Sequence, residues 1–244
     1  MATCTPPHDI MGRPVDKFLP HGSGSDLLQD LMARSEVVLQ NHPINIERRA
    51  RGDIPATMLW LFWGSGKIPD MPAFKEIYGL DAAMTSGVDV LRGLAKMIRA
   101  KVLYIPGVTD GLDNDYAVQA AGALKALNEY DLVIIHVEAP DEAGHAGSIG
   151  DKIEAIQRVD KEIVSQIGRW GEDALRMLIM PDHATPIEVQ THVSEPVPFM
   201  LWGPGFMASG AERFTEAEAK RTGLFIEEGH EIMGRLIQTG KETI

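Results

Sequence analysis

The reading of this chain turns on the stretch Leu132-Val133-Ile134-Ile135-His136-Val137-Glu138-Ala139-Pro140-Asp141-Glu142-Ala143-Gly144-His145. Four consecutive apolar residues, followed by a polar segment broken by Pro140, predict a buried strand that empties into a loop. That loop carries Asp141 and His145, and a carboxylate with an imidazole can close on one divalent ion, the mixed oxygen and nitrogen set suiting zinc or manganese. The pattern recurs where Met177-Leu178-Ile179-Met180 empties into Pro181-Asp182-His183, and His192 stands just before the apolar run Val197 to Trp202. Ligand-type residues thus gather at the edges of three predicted strands, where open α/β sheets build their sites. His136, inside an apolar run, reads as a core residue.

Outward from this stretch, strand and helix signals alternate. Towards the amino end come a helix over 72–78, a strand over 82–85, a helix over 88–98, a strand over 102–105 and a helix over 116–127. Alternation of this kind predicts an α/β protein with a mostly parallel sheet and helices on both faces. On the carboxyl side, Ser148 and Asp151 resemble a capping box, and Ile149, Ile153, Ile156, Val159, Ile163 and Ile167 form one apolar stripe that reads as core packing. Helices over 215–221 and 228–238 close the chain. Residues 1–24 are rich in Pro, Gly and Ser. A helix starts at Ser25, with Leu27, Leu28, Leu31, Ser35, Val38 and Leu39 on one face, and stops at His42-Pro43. Met58 to Trp63 reads as a strand ending in Gly64-Ser65-Gly66-Lys67.

The 244 residues are 44 % hydrophobic, enough for a sizeable core. A net charge of −12, without a run of Lys or Arg, argues against a nucleic-acid or anionic-membrane partner. Cys4 is the single cysteine, so no internal disulfide can form. No apolar stretch approaches the ~20 residues of a membrane span, and the first residues lack the basic-then-apolar order of a secretory signal. These features place the chain in the cytoplasm.

An Asp-x-x-x-His pair or an Asp-His dipeptide alone is weak, since polar residues in turns are common. Asp141, His145, Asp182, His183 and His192 together, all flanking strands, make a metal site the better explanation. The run His136 to His145, the segment Pro181-Asp182-His183-Ala184-Thr185-Pro186 and the segment Thr191 to Phe199 resemble the cofactor-independent phosphoglycerate mutases, in their archaeal-type branch of the alkaline phosphatase superfamily. Thr5 to Ile10, Asn41-His42-Pro43 with Glu47-Arg48, and Gly111-Leu112-Asp113 with Tyr116 resemble the same branch, so the likeness runs along the whole chain.

The resemblance implies an alkaline phosphatase-like core, incomplete at its amino end, over 67–244, with 1–66 a remnant of an inserted substrate-binding lid domain. It implies two divalent ions, manganese or zinc: one held by Asp141, His145 and His192, the other in part by Asp182 and His183, its shell incomplete. It also implies interconversion of 3-phosphoglycerate and 2-phosphoglycerate in glycolysis, the phosphate being carried on a serine between the two hydroxyls. That serine, and a further aspartate, belong to a part of the family's chain with no counterpart here. Ser148 reads as a helix cap, and Ser23, Ser25 and Ser65 sit in linkers or turns, so the chain taken alone is expected to be inactive. Gln119 stands where relatives carry a lysine, which would remove a phosphate contact. Lys67, Arg48 and Arg49 could meet the substrate's phosphate or carboxylate, although a turn and a solvated charged face account for them as well. Two alternatives stay open: a metal-dependent phosphatase or other phosphotransferase on the same scaffold, and a non-catalytic fragment or half of a split enzyme. An exposed sheet edge would invite self-association or a partner chain.

Overall fold

The computed structural model describes residues 2–64, 66, 68–171 and 173–237. It divides into two compact units, Met1–Pro69 and Asp70–Ile244.

In the first unit, strands β1 (Ala2–Thr3) and β2 (His21–Gly22) pair antiparallel, followed by helices α1 (Ser25–Gln40) and α2 (Pro43–Ala50). The apolar stripe of α1 does not face inward as its spacing predicts. Met32 and Ser35 are buried, with Leu28 and Leu39 half-buried beside them, while Leu27, Leu31 and Val38 are exposed. His42-Pro43 ends α1 and starts α2: the proline occupies the first turn, where no amide is needed, and His42 Nδ1 accepts from the Ile44 amide at 3.3 Å. The strand expected over 58–63 does not form. Its polar groups find partners outside any ladder, the Leu59 amide donating to Ser35 Oγ at 2.9 Å and the Trp60 indole to the Thr5 carbonyl at 2.7 Å. Buried Asn45 anchors the segment before it, donating to the Leu39 and Ala56 carbonyls and accepting from the Ala56 amide.

The second unit holds α3 (Phe74–Tyr78), β3 (Ala82–Thr85), α4 (Asp89–Met97), β4 (Lys101–Val102), α5 (Tyr116–Ala126) and β5 (Leu132–Ile135). Strands β4, β3 and β5 form a parallel sheet in that order, with Ala82 opposite Leu132 and Thr85 opposite Ile135. Side chains alternate across a strand, so each face has its own core. Ala82, Met84, Val102 and Leu132 pack with Phe74 and Ala95 from α3 and α4. Ile135 and Val137 pack with Tyr116 and Ala120 from α5 and with Ala139, Ala155 and Ile163 beyond the sheet. Asp115 starts α5 by accepting from the Val118 amide at 3.0 Å.

After β5 come α6 (Ala139–His145), α7 (Ile149–Arg158), a π-helical segment (Val159–Val164) and α8 (Ser165–Gly168). Ser148 caps α7, its hydroxyl accepting from the Asp151 amide at 3.4 Å. The stripe predicted for this stretch splits at the π segment. Val159, Ile163 and Ile167 pack into the core, but Ile149, Ile153 and Ile156 are exposed and Ala155 takes the buried face of α7. The wider π turn changes the angular register, so one periodic row in sequence becomes two faces in space. Strands β6 (Met177–Ile179) and β7 (Met200–Trp202) pair with each other antiparallel, apart from the parallel sheet. Helices α9 (Glu216–Thr222) and α10 (Ile232–Ile237) follow. Among the described residues no helix is long and apolar enough to cross a membrane.

Candidate metal centre

Asp141 and His145 lie on a helix, not in the loop their neighbours predict. Pro140 occupies the first turn of α6, where its missing amide costs nothing, so a residue that signals a loop here opens a helix. Residues four apart on a helix share a face. Asp141 Oδ2 therefore lies 3.3 Å from His145 Nε2.

The second and third imidazoles come from the segment after β6. A bridge between Ala184 and Val193, closed by the Val193 amide to the Ala184 carbonyl at 3.1 Å, brings His192 beside His183. Their rings stack with centroids 3.8 Å apart. His192 Nε2 lies 3.1 Å from His145 Nε2 and 3.6 Å from Asp141 Oδ1. Gly144 permits the approach of this segment to α6, since a Cβ there would stand 2.6 Å from the Thr185 carbonyl oxygen. Lys152 adds a tie, its Nζ donating to the Thr185 carbonyl at 2.6 Å. Partial burial lowers the pKa of that ammonium, against the opposing pull of Asp141 and Glu216.

The hydrogen bonds fix the ring tautomers. His145 Nδ1 faces the Gln190 carbonyl at 2.9 Å and must carry the proton; Gln190 holds that carbonyl from a left-handed backbone, φ 59°. With one proton on the ring, the Nε2 lone pair of His145 points at a carboxylate oxygen and another imidazole nitrogen. The Thr185 hydroxyl donates to Asp141, so His183 Nδ1, 3.2 Å from the same hydroxyl oxygen, must donate to it. The His183 Nε2 lone pair then faces Asp182 Oδ2 at 3.5 Å. His192 Nε2 approaches His145 Nε2 closely enough for a hydrogen bond or for a shared cation. Tetrahedral ligands at zinc-like bond lengths of about 2.0–2.2 Å stand roughly 3.3–3.6 Å from one another. The ligand atoms of Asp141, His145 and His192 stand 3.1–3.6 Å apart, near this spacing, and the three could hold one divalent ion.

Asp182 and His183 adjoin this trio but bring no third ligand of their own among the described residues, and the Asp182 side chain is 76 % exposed. Glu138, Asp141 and Glu142 make a second group of close carboxylates. Partial burial, then the charges of Glu138 and Asp141, raise the pKa of Glu142; His145 opposes and Asp110 adds to the shift. Arg48 and Arg49 belong to the first unit, where each donates to a backbone carbonyl, of Ile54 and Gln40 respectively. Lys67 lies outside the described residues.

The sequence reading missed Thr185 and the Gln190 carbonyl, which orient the candidate ligands. It also missed a chain from Ser86 Oγ to His136 Nδ1, 3.0 Å, and from His136 Nε2 to Glu138 Oε2, 3.2 Å. Thr185, two residues beyond His183, could have been suspected; the carbonyl and the Ser86 contact leave no sequence signal. Gln119 is buried against this chain, donating to the His136 carbonyl at 2.9 Å and accepting from Asn114.

A carboxylate and an imidazole that follow the parallel strand β5, joined by two imidazoles that follow β6, make the donor set of the divalent-metal class of protein. The chain belongs to the metalloenzyme superfamily, whose family model matches residues 15–236, and its fold is alkaline phosphatase-like. It is 44 % identical over 240 residues to the 2,3-bisphosphoglycerate-independent phosphoglycerate mutase of Methanothrix thermoacetophila, covering 97 % of this chain and 61 % of that protein. The protein of the same name from Methanosarcina barkeri is 38 % identical, with 96 % and 60 % covered. The chain thus spans about three-fifths of the length of these curated relatives. A solved Pyrococcus horikoshii protein superposes with TM-score 0.73 at 30 % identity, over 87 % of this chain and 56 % of that one. The cofactor-independent phosphoglycerate mutase of Thermoplasma acidophilum shares the fold, with TM-score 0.55 at 20 % identity over 98 % of this chain and 58 % of that one.

Proposed function

We propose that this chain is the metal-binding part of a phosphoglycerate mutase, acting on 3-phosphoglycerate and 2-phosphoglycerate in the cytoplasm. The observation that carries the reading is the trio of Asp141, His145 and His192, whose ligand atoms stand at 3.1–3.6 Å with the proton of His145 turned away towards Gln190. On this reading the trio holds one divalent ion, manganese or zinc, and Asp182 with His183 hold a second more loosely. Bound ions would neutralise the charge of a phosphoryl group in transfer. The protein's own contribution is orientation. Gln190 fixes the His145 ring, Thr185 fixes Asp141, and His183 is fixed through Thr185 in turn. Residues 1–66 would serve as the remnant of a substrate-binding lid, with Arg48, Arg49 and Lys67 as its cationic groups.

The resemblance assigns the phosphate-carrying serine to a segment without a counterpart in these 244 residues. Two of the serines present are otherwise engaged, Ser86 with His136 and Ser148 as the cap of α7. The polypeptide by itself is therefore expected to bind metal and, at most, to release phosphate slowly. Calorimetric titration with manganese should give one tight event, abolished in His145→Ala and His192→Ala, and one loose event, abolished in Asp182→Ala. Unchanged binding in the two histidine variants would overturn the assignment. Incubation with 3-phosphoglycerate, following 2-phosphoglycerate and free phosphate separately, tests the rest. Formation of 2-phosphoglycerate dependent on His145 would reveal a nucleophile in this chain.

A further inference from the structure

We propose that Lys152 is a positioning residue of the metal centre: its ammonium holds the Thr185 carbonyl in place and thereby aims the Thr185 hydroxyl that orients Asp141 and His183. The inference deepens the proposed function and rests on its assignment of Asp141, His145 and His192 as ligands of one ion.

Thr185 joins Lys152 to the candidate ligands. It is buried, at 4 % exposure, and its carbonyl accepts from Lys152 Nζ at 2.6 Å. Its hydroxyl donates to Asp141 and accepts from His183 Nδ1 at 3.2 Å. The two heavy atoms on its Cβ restrict rotation about χ1, so the direction of the hydroxyl follows the backbone. A bond that fixes the carbonyl is in this way passed on to a carboxylate of the trio and to an imidazole of the neighbouring pair.

The origin of Lys152 suits it to this task. It lies in the first turn of α7, where its amide donates to the Ser148 carbonyl at 3.1 Å and the Ser148 hydroxyl caps the helix. Asp141 and His145 hold the segment after β6 from α6, through Thr185 and the Gln190 carbonyl; Lys152 holds it from α7. Gly144 makes the room. A Cβ there would stand 2.6 Å from the Thr185 carbonyl oxygen and 3.0 Å from Lys152 Nζ, so donor, acceptor and glycine meet between Asp141 and His145 of α6.

Charge alone gives Lys152 a different role. Asp141 and Glu216 pull on its ammonium, yet neither forms an ion pair with it among the described residues, and the hydrogen bond goes to a neutral carbonyl. A positive charge beside a cation site repels the ion, so deleting the charge would by itself tighten metal binding. Loss of a positioning bond weakens it. The sign of the change separates the two roles.

The test is calorimetric titration of the full 244-residue chain with manganese. Lys152→Met should weaken the tight event by about 10-fold, although it removes a like charge. Lys152→Arg, which keeps charge and donors, should recover affinity to within about 3-fold of the parent. In a Thr185→Val background, where the hydroxyl is already absent, Lys152→Met should cost less than about 3-fold more, because both substitutions break one path. If Lys152→Met does not fold, Lys152→Gln, uncharged and too short to replace the bond, is read in its place. Unchanged or tighter binding on loss of the lysine would overturn the proposal, as would no rescue by arginine or a full additional loss in the Thr185→Val background. His145→Ala in the same titration keeps the two readings apart. If it abolishes the tight event while Lys152→Met leaves that event intact, the trio stands and only the role of Lys152 falls; if it changes nothing, both fall.

Discussion

His136 and His145 both follow β5, and each has both ring nitrogens within contact distance of polar atoms, yet the two environments differ in kind. Around a neutral His136 every lone pair meets a proton: the Ser86 hydroxyl donates to Nδ1, and Nε2–H donates to Glu138. Around His145 the one ring proton goes to Gln190, and the Nε2 lone pair is left facing Asp141 and His192. The first network closes on a hydroxyl and one carboxylate; the second gathers a carboxylate and two imidazoles, a donor set that could hold a cation. The kind and number of donor groups around the ring, more than proximity of polar residues, separates a structural histidine from a candidate ligand.

The sharpest way to break this contrast is His145→Ala, expected to weaken manganese or zinc binding by more than about 100-fold, since it removes one of three ligands. His136→Ala should change that affinity by less than about 3-fold. If both substitutions cost the same affinity, the distinction fails. Thr185→Val, which keeps the shape but removes the proton shared with Asp141, should cost about 10-fold to 100-fold in affinity, measured by the same titration. His136→Ala should instead show in chemical denaturation, lowering stability by about 1–3 kcal/mol, because it strands the hydroxyl of Ser86 and the carboxylate of Glu138.

The smallest expected effect is on pH dependence. Burial and the neighbouring carboxylates raise the folded-state pKa of Glu142, so its contribution to stability is full below the ordinary carboxylate pKa and is lost as pH rises through the folded value. Glu142→Gln should therefore melt about 1 °C higher than the parent at pH 7 in chelator, with the gap closing as the pH falls toward 4. The group reaches the surface, which keeps the effect small. A gap that widens in acid would mean the charged form is the one favoured by folding.

How far these features were legible follows from how local their causes are. The run Leu132 to Ile135 announced β5 to the residue, and the alternation around it gave the parallel sheet, because period-two and helical patterns are properties of a few neighbouring residues. Asp141, His145, His183 and His192 were visible as residue types at strand ends. That Asp141 and His145 share a helix was not, because Pro140 is compatible with both a turn and a first helical turn. The stripe from Ile149 to Ile167 misled for a related reason: the π segment that splits it leaves no mark on the period. The strand read into 58–63 failed because a strand requires a partner strand, and here the Leu59 amide meets the Ser35 hydroxyl while the Trp60 indole meets the Thr5 carbonyl.

The bonds that build the metal centre join residues far apart in the chain: Asp141 to Thr185 spans 44 positions and His145 to His192 spans 47. Such contacts close only after a long loop has lost its freedom, which places them late in folding. Helix α6 can bring Asp141 and His145 together by local hydrogen bonds alone, whereas His192 arrives only when the segment after β6 docks on Gly144. During refolding with metal present, capture should therefore occur in two kinetic phases, an early weak one set by a helix and a slower tight one set by docking. The slower rate would report when this half of the unit acquires its native topology.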